Sequence, residues 1–108
     1  MFLASTVHVA HAHKHRGYRW ADDEDARAAM TAKVAVNMAE HARMIEDHYF
    51  KGPWVLGDGY SMCDPYLALI TRWLGPDGVS LEDFPKLKAH DEMMKSRPSV
   101  QKVLPLYD

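Results

Sequence analysis

The chain has 108 residues, with 13 Lys and Arg against 15 Asp and Glu, so its formal net charge is −2. This length suits one domain with a single core, and the weak negative charge gives no basis for an electrostatic nucleic-acid partner. One cysteine excludes a disulfide framework within the chain, and no apolar run approaches the roughly 18 residues of a membrane span. We expect a single cytoplasmic domain, because so few cysteines are typical of a reducing compartment.

The first residues have the pattern of an amphipathic helix already in progress. No capping residue precedes the first apolar side chain, and the absence of a leading positive charge argues against a signal peptide. At about 100° per residue, one arc holds Phe2, Leu3, Thr6, Val7, Val9 and Ala10, and the opposite arc holds Ala4, His8, His11 and His15. Gly17 offers a stop signal. We therefore expect the chain to begin inside a helix that another domain precedes.

A long second helix is predicted from residue 22 to about residue 49. The acidic run at 22–25 supplies an N-cap and favourable charge for its N-terminus. The buried stripe, at spacings of three and four, consists of Met30, Val34, Met38, His41, Ile45 and Tyr49. Asn37, His41 and His48 lie on or beside the stripe, and we favour hydrogen bonding within the helix interface over a ligand role for them.

A glycine-rich connector at 51–60 follows. Three of its residues are too apolar to be left in water, which predicts an ordered turn region: Trp54, Val55 and Leu56. Ser61 and Asp64 then form a capping box. The Ser61 hydroxyl is expected to accept the N–H of Asp64, and the Asp64 carboxylate to accept the N–H of Ser61. The residues that follow are apolar nearly all round, which predicts a buried central helix at about 61–74.

Two further helices close the chain. The sequence Gly-Pro-Asp-Gly at 75–78 ends the central helix, and Pro85 lies near the first turn of the next one. The inward residues of that helix are Leu87, His90, Met93 and Met94. A short closing helix follows Pro98 and is defined by Val100, Val103 and Leu104. Because no stretch shows a useful length of strand alternation, the fold class is all-α, with residues 1–108 as one domain.

Three stretches, in this order and spacing, resemble the C-terminal helical domain of the bacterial glutathione S-transferases. The connector Gly-Pro-Trp-Val-Leu-Gly-Asp at 52–58, with Tyr-Ser-Met-Cys-Asp-Pro-Tyr at 60–66, resembles the family's connector and capping box. Phe-Pro-Lys-Leu-Lys-Ala at 84–89, with Ser-Arg-Pro-Ser-Val at 96–100, resembles the penultimate helix and its signature. Residues 2–8 are similar to the first helix of this domain. The resemblance implies a helical bundle around the buried central helix.

The resemblance also implies a role. Family enzymes carry an N-terminal thioredoxin-like domain that binds glutathione and steers its thiolate, and no βαβ pattern for that domain occurs in this chain. The chain would then be the hydrophobic-substrate-binding half, inactive alone, with glutathione as co-substrate and no cofactor. The substrate-binding residues that the resemblance implies are Ser5, His8, His11 and Trp73. It further implies a small hydrophobic electrophile and a homodimer. The alternative function is a non-catalytic protein–protein interaction module, which the coding sequence upstream of Met1 would discriminate.

The histidines of the first helix and the single cysteine could each carry another chemistry. His11 and His15 stand four residues apart, the spacing at which two imidazoles hold one Zn²⁺, and His8 would have to supply a third ligand. No Glu follows His11 as in the zinc-protease pattern, so we favour a solvated or cleft-facing histidine surface and expect no metal. Cys63 stands at a helix N-terminus, which can activate a thiol, and we favour a buried structural role.

Overall fold

The computed structural model describes residues 1–106. Its α-helices are α1 (His8–Arg16), α2 (Glu24–Met44), α3 (Cys63–Leu74), α4 (Pro85–Ser96) and α5 (Pro98–Val103). A turn of π-helix at Leu3–Val7 leads into α1, and a second at Ile45–Tyr49 extends α2. No strand occurs within the described part of the chain, where one isolated bridge joins Trp54 to Gly57. The predicted all-α class is confirmed.

Helix α1 packs along α2, and both contribute to the core. Val7 and Ala10 of the predicted apolar arc are buried, whereas Val9 is exposed, so the prediction is wrong for Val9. The π-turn explains the difference, because its i→i+5 hydrogen bonding changes the angular spacing of the residues on either side of it. The apolar arc is therefore narrower than a regular α-helix would make it.

Helix α2 begins at an acidic cap, and its predicted stripe of buried residues ends before Tyr49. The Asp23 side chain accepts a hydrogen bond from the N–H of Ala26 at 3.1 Å. Val34, Met38 and Ile45 are buried as predicted, but Tyr49 is half exposed and stacks on Phe2 instead of entering the core. The remaining members of the predicted stripe, Met30 and His41, are partly buried. The π-turn at Ile45–Tyr49 rotates Tyr49 outward and brings Glu46 inside.

The connector and α3 form the centre of the domain. Val55 is buried, Trp54 is partly buried, and Leu56 is 60% exposed, so the expected burial of Leu56 is wrong. The predicted central helix is present, two residues shorter at its start, and its buried apolar residues are Leu67, Ile70 and Leu74. One side of α3 remains open, where Leu69 is 42% exposed. The exposed Leu56 and Leu69 leave apolar surface uncovered on two sides of this centre.

Helix α4 packs on α3, with Leu87, His90 and Met94 buried and Met93 only partly so. Its N-terminus is capped from another helix, because Glu46 accepts hydrogen bonds from the N–H groups of Lys86 at 2.8 Å and Leu87 at 3.0 Å. Helix α5 then packs on α4. Among the described residues, no helix has the length and apolarity to cross a bilayer.

Candidate functional site

Three of the predicted site residues meet between α1 and the C-terminal half of α3. The imidazole of His11 lies flat on the indole of Trp73, with ring centroids 4.0 Å apart and an interplanar angle of 6°. The ring of His8 meets the same indole edge-on at 5.0 Å. Consecutive turns of α1 place the two histidines on one face, because residues three apart are neighbours on a helix. Trp73 is thus shared by both imidazoles.

A cavity of about 260 Å³ opens beside this cluster. It is lined by His8, His11, Ala12, His15, Arg16 and Trp73. The indole and the imidazoles offer flat aromatic surface, and Arg16 contributes positive charge. Such a lining suits a small planar molecule that carries negative charge or develops it during a reaction.

His8 is fixed by a hydrogen bond from outside α1. Its Nδ1 lies 2.7 Å from the hydroxyl oxygen of Tyr66, which projects from the first turn of α3. The tyrosine ring also meets the imidazole edge-on at 5.9 Å. Because Nδ1 is occupied, Nε2 is the atom of His8 left to interact with a ligand.

His11 is fixed by a buried acid. Its Nδ1 lies 2.5 Å from Oδ2 of Asp77, whose side chain has 0% of its surface exposed. The ammonium of Lys14 lies 3.4 Å from Oδ1 of the same carboxylate and donates to the carbonyl of Pro76. Asp77 therefore contacts two cationic or ionisable side chains of α1 across the interface with the end of α3.

The turn after α3 positions Asp77. The N–H of Asp77 donates to the carbonyl of Trp73 at 3.0 Å, and the N–H of Val79 donates to that of Leu74 at 2.8 Å. Gly78 has a φ of 94°, a conformation that favours glycine because it has no Cβ. The Gly-Pro-Asp-Gly turn at 75–78 therefore ends α3 and also places the Asp77 carboxylate against α1.

Ser5 does not line this cavity. It is exposed on the π-turn at Leu3–Val7, where its hydroxyl donates to the carbonyl of Met1 at 2.7 Å. The Ser5 hydroxyl also lies 3.3 Å from the Thr6 hydroxyl. The substrate-binding role of Ser5 stays a prediction, without a contact to the His8, His11 and Trp73 cluster to support it.

The Asp64 carboxylate has more partners than a capping box requires. Its Oδ2 accepts the N–H of Ser61 at 2.9 Å, the bond expected from the box. Its Oδ1 accepts the N–H of Val55 at 2.9 Å and lies 2.9 Å from Nε2 of the fully buried His90. The Ser61 hydroxyl, however, accepts the N–H of Cys63 at 3.3 Å, which corrects the predicted bond to Asp64. Since α3 begins at Cys63, the amide of Cys63 is the nearer free donor.

His8, His11 and His15, the histidines of α1 with metal-ligand spacing, all line the cavity at Trp73. Among residues 1–106, no group of three or more His, Cys, Asp or Glu side chains is arranged to hold a metal ion. Cys63 is a partly buried free thiol beside an apolar cavity of about 450 Å³ that Tyr66 and Leu67 also line.

Three residues that support the histidines of the cavity were not predicted from the sequence: Tyr66, Lys14 and Asp77. Tyr66 and Asp77 contact residues of α1 that lie 58 and 66 positions away. In the sequence, Tyr66 is recognisable only as an aromatic residue after the capping box, and Asp77 only as an acid in a turn. Neither signal specifies a partner.

A second, more apolar groove runs between α3 and the last helices. It has a volume of about 530 Å³ and is lined by Pro65, Ala68, Leu69, Arg72, Trp73, Met94, Val100, Val103 and Leu104. An adjoining cavity of about 300 Å³ is lined in part by Thr71, whose buried hydroxyl has no hydrogen-bond partner among the described residues. Trp73 separates this apolar groove from the histidine-lined cavity, because it lines both.

Comparison with known proteins identifies the family. The model of the glutathione S-transferase C-terminal domain matches residues 6–98. The crystal structure of a glutathione transferase homologue from Sulfitobacter, with bound glutathione, superposes with a TM-score of 0.95 at 43% identity, over 98% of this chain and 51% of that one. The glutathione S-transferase-like protein tpcF of Aspergillus fumigatus is 38% identical over 56 residues, which are 47% of this chain and 25% of that protein. The chain thus spans about half of the solved homologue and a quarter of the curated relative. It belongs to the glutathione S-transferase C-terminal domain family.

Proposed function

We propose that this chain is the electrophile-binding domain of a glutathione S-transferase. The observation that carries the proposal is the convergence of His8, His11 and Trp73 on one cavity between α1 and α3. In the proposed reaction, the glutathione thiolate attacks an electrophilic carbon of a small hydrophobic molecule. The flat indole would hold that molecule in place, which turns an encounter in solution into an oriented reaction.

The proposed enzyme needs a second domain. The Sulfitobacter homologue holds bound glutathione, and this chain matches only 51% of it. We propose that a thioredoxin-like domain supplies the glutathione site and that the 108-residue chain alone is inactive. The apolar groove beside Leu69 and Val103 supports this proposal, because exposed apolar surface of this kind is typical of an interface.

A cytoplasmic homodimer is the proposed form of the protein. The single cysteine, a free thiol, favours a reducing compartment. Val36 and Met44 are exposed two turns apart on α2 and offer apolar surface for a second copy. Light scattering of the full-length gene product should give twice the mass of one chain. A monomeric mass would contradict the homodimer and leave the electrophile site unaffected.

The test of the function is an assay of the full-length gene product with glutathione and chlorodinitrobenzene. We expect the gene product to accelerate formation of the aryl thioether above the uncatalysed rate, and the 108-residue chain alone not to do so. The coding sequence upstream of Met1 should encode a thioredoxin-like domain. Absence of that domain, together with absence of conjugation, would favour the alternative of a non-catalytic interaction module.

A further inference from the structure

Residues 1–106 contain two Asp–His pairs that differ in how far a ligand can reach the imidazole. In the pair of Asp64 and His90 both side chains are fully buried, so no ligand reaches the imidazole and the pair is structural. In the pair of Asp77 and His11 the acid is fully buried, but the imidazole is 22% exposed and lines the histidine-lined cavity. Burial of a carboxylate is costly unless charged partners compensate it. The second pair therefore places a buried negative charge directly behind an accessible imidazole.

The orientation of His11 is restricted on two sides. The Asp77 carboxylate occupies Nδ1 at 2.5 Å, and the Trp73 indole covers one face of the ring at 4.0 Å. A carboxylate at Nδ1 holds the proton on that nitrogen, so Nε2 is the atom available for proton exchange. When the ring carries a proton on each nitrogen, Nδ1–H donates to Asp77 and Nε2–H is the proton that can be transferred.

We propose that His11 is a catalytic proton donor in the reaction proposed above whenever the electrophile takes up a proton, as an α,β-unsaturated carbonyl compound does, and that Asp77 is its positioning residue. This inference rests on the proposed function. The planar conjugated system of such a compound fits the flat aromatic lining of the cavity. Conjugate addition places negative charge on the carbonyl oxygen and ends with uptake of a proton. A proton donor beside the bound electrophile would supply that proton.

The proton and electron balance is simple. The thiolate sulfur forms a bond to the β-carbon, and the π-electron pair of the C=C bond moves to give an enolate. The Nε2–H of the His11 imidazolium protonates the enolate and leaves a neutral imidazole whose Nδ1–H still donates to Asp77. The proton released when the glutathione thiol ionises returns to Nε2 through solvent. The product is the saturated thioether, and no oxidant or reductant takes part.

Steady-state kinetics of the full-length gene product with two electrophiles test the proposal. Chlorodinitrobenzene loses chloride as an anion and needs no proton, whereas an enone does. We expect His11→Gln to lower kcat for the enone about 100-fold, and Asp77→Asn to lower it about 10-fold with little change in KM. The loss should be selective for the enone, because only the enone takes up a proton: in both variants the ratio of kcat for the enone to kcat for chlorodinitrobenzene should fall at least about fivefold. His13→Gln is the control, because His13 contacts Trp20 and does not line the cavity.

The outcomes separate the two proposals. Equal losses with both electrophiles would overturn the proton-donor role of His11 and leave the proposed function intact. A wild-type protein that conjugates neither electrophile would overturn the proposed function and the role of His11 with it.

A measurement on the wild-type protein covers the case in which the Asp77 variant fails to fold. Nitrogen chemical shifts of ¹⁵N-labelled histidine should show the neutral His11 ring protonated on Nδ1. Protonation on Nε2 instead would overturn the positioning role of Asp77, whatever the kinetics of the variants.

Discussion

Asp64 links three segments of the chain through one carboxylate. It accepts backbone N–H groups from the connector at Val55 and from Ser61, and it contacts the imidazole of His90 on α4. Each of these donors would lose its partner in a low-dielectric interior if the carboxylate were removed. Asp64 therefore stabilises tertiary structure as well as the start of α3.

Asp64→Ala should destabilise the protein by about 3 kcal/mol or more, because it removes a buried charged partner from several donors at once. A shift in the urea denaturation midpoint measures the loss. Asp58→Ala, which removes an exposed acid from the same connector, is the control and should change the free energy of unfolding by less than about 0.5 kcal/mol. Equal midpoints for Asp64→Ala and the wild type would show that this network contributes nothing.

His41 should make the protein less stable in acid. Burial lowers the pKa of His41 below its usual 6.5, and the charge of Glu40 partly opposes this effect. As the pH falls through about 6.5, the unfolded chain binds this proton before the folded one does, so acidification favours unfolding. His41→Gln should therefore lose less stability than the wild type between about pH 7.5 and 5 in urea titrations. His48→Gln removes an exposed imidazole from the same helical segment as a control. Parallel profiles for wild type and His41→Gln would refute the effect.

Only part of the site was predictable from residue types. The family resemblance pointed to His8, His11 and Trp73, and the fold brings these three together. Asp77 and Tyr66 were not predicted, because each contacts α1 across a tertiary interface that no local spacing encodes. For Ser5, sequence similarity suggested a role that the cavity does not support.

At the scale of elements, α2 does more than bury an apolar stripe. The π-turn at Ile45–Tyr49 brings Glu46 inside, and its carboxylate caps the first free N–H groups of α4. Helix N-termini leave such donors unpaired, and a negative charge there also interacts favourably with the helix dipole. The end of one helix thus fixes the start of another that lies 40 residues further along the chain.

Glu46→Ala should lower the free energy of unfolding by about 2 kcal/mol, because two N–H groups in the first turn of α4, one of them buried, lose a charged acceptor. Asp47→Ala is a matched control on the next residue. Asp47 is exposed and lies 3.6 Å from Arg43, an ion pair worth at most about 0.5 kcal/mol. Thermal or urea unfolding of both variants checks the contrast. Equal losses for the two substitutions would contradict the capping role of Glu46.

The helices themselves were largely predictable, since caps, stop signals and apolar spacing are local. The expected end at Gly17 follows the last residue of α1, and the central helix begins two residues later than expected. The π-turns were not predictable from those signals. Their effect is seen at Val9 and Tyr49, which are exposed where a regular helix would bury them. A π-turn is a rare single-turn departure from α-helical hydrogen bonding, and neither caps nor apolar spacing in the sequence marks it.

At the scale of the whole molecule, the apolar groove between α3 and α5 is open to solvent. Leu69 and Val103 are both more than two-fifths exposed in this groove. Exposed apolar surface of this kind promotes association or dye binding when its natural cover is missing. This chain matches 51% of the Sulfitobacter homologue, and in the proposed function a second domain would cover the groove.

The 108-residue chain should therefore bind a hydrophobic dye or self-associate, and Leu69→Lys should reduce both. Dye fluorescence and light scattering measure these properties. Tyr18→Ser, which removes an exposed ring outside the groove, should leave them nearly unchanged. A monomeric chain without dye binding would contradict the idea of an uncovered interface.

In the proposed enzyme, the cavity at Trp73 binds the electrophile and another domain binds glutathione. The most direct test is to measure KM for chlorodinitrobenzene and KM for glutathione with Trp73→Ala in the full-length gene product. Trp20→Ala is the control, because Trp20 is exposed and lies outside the cavity. We predict that Trp73→Ala raises KM for chlorodinitrobenzene about 10-fold, the effect of losing one large aromatic contact, and leaves KM for glutathione unchanged. An increase in KM for glutathione alone, or no change in either KM, would contradict the account.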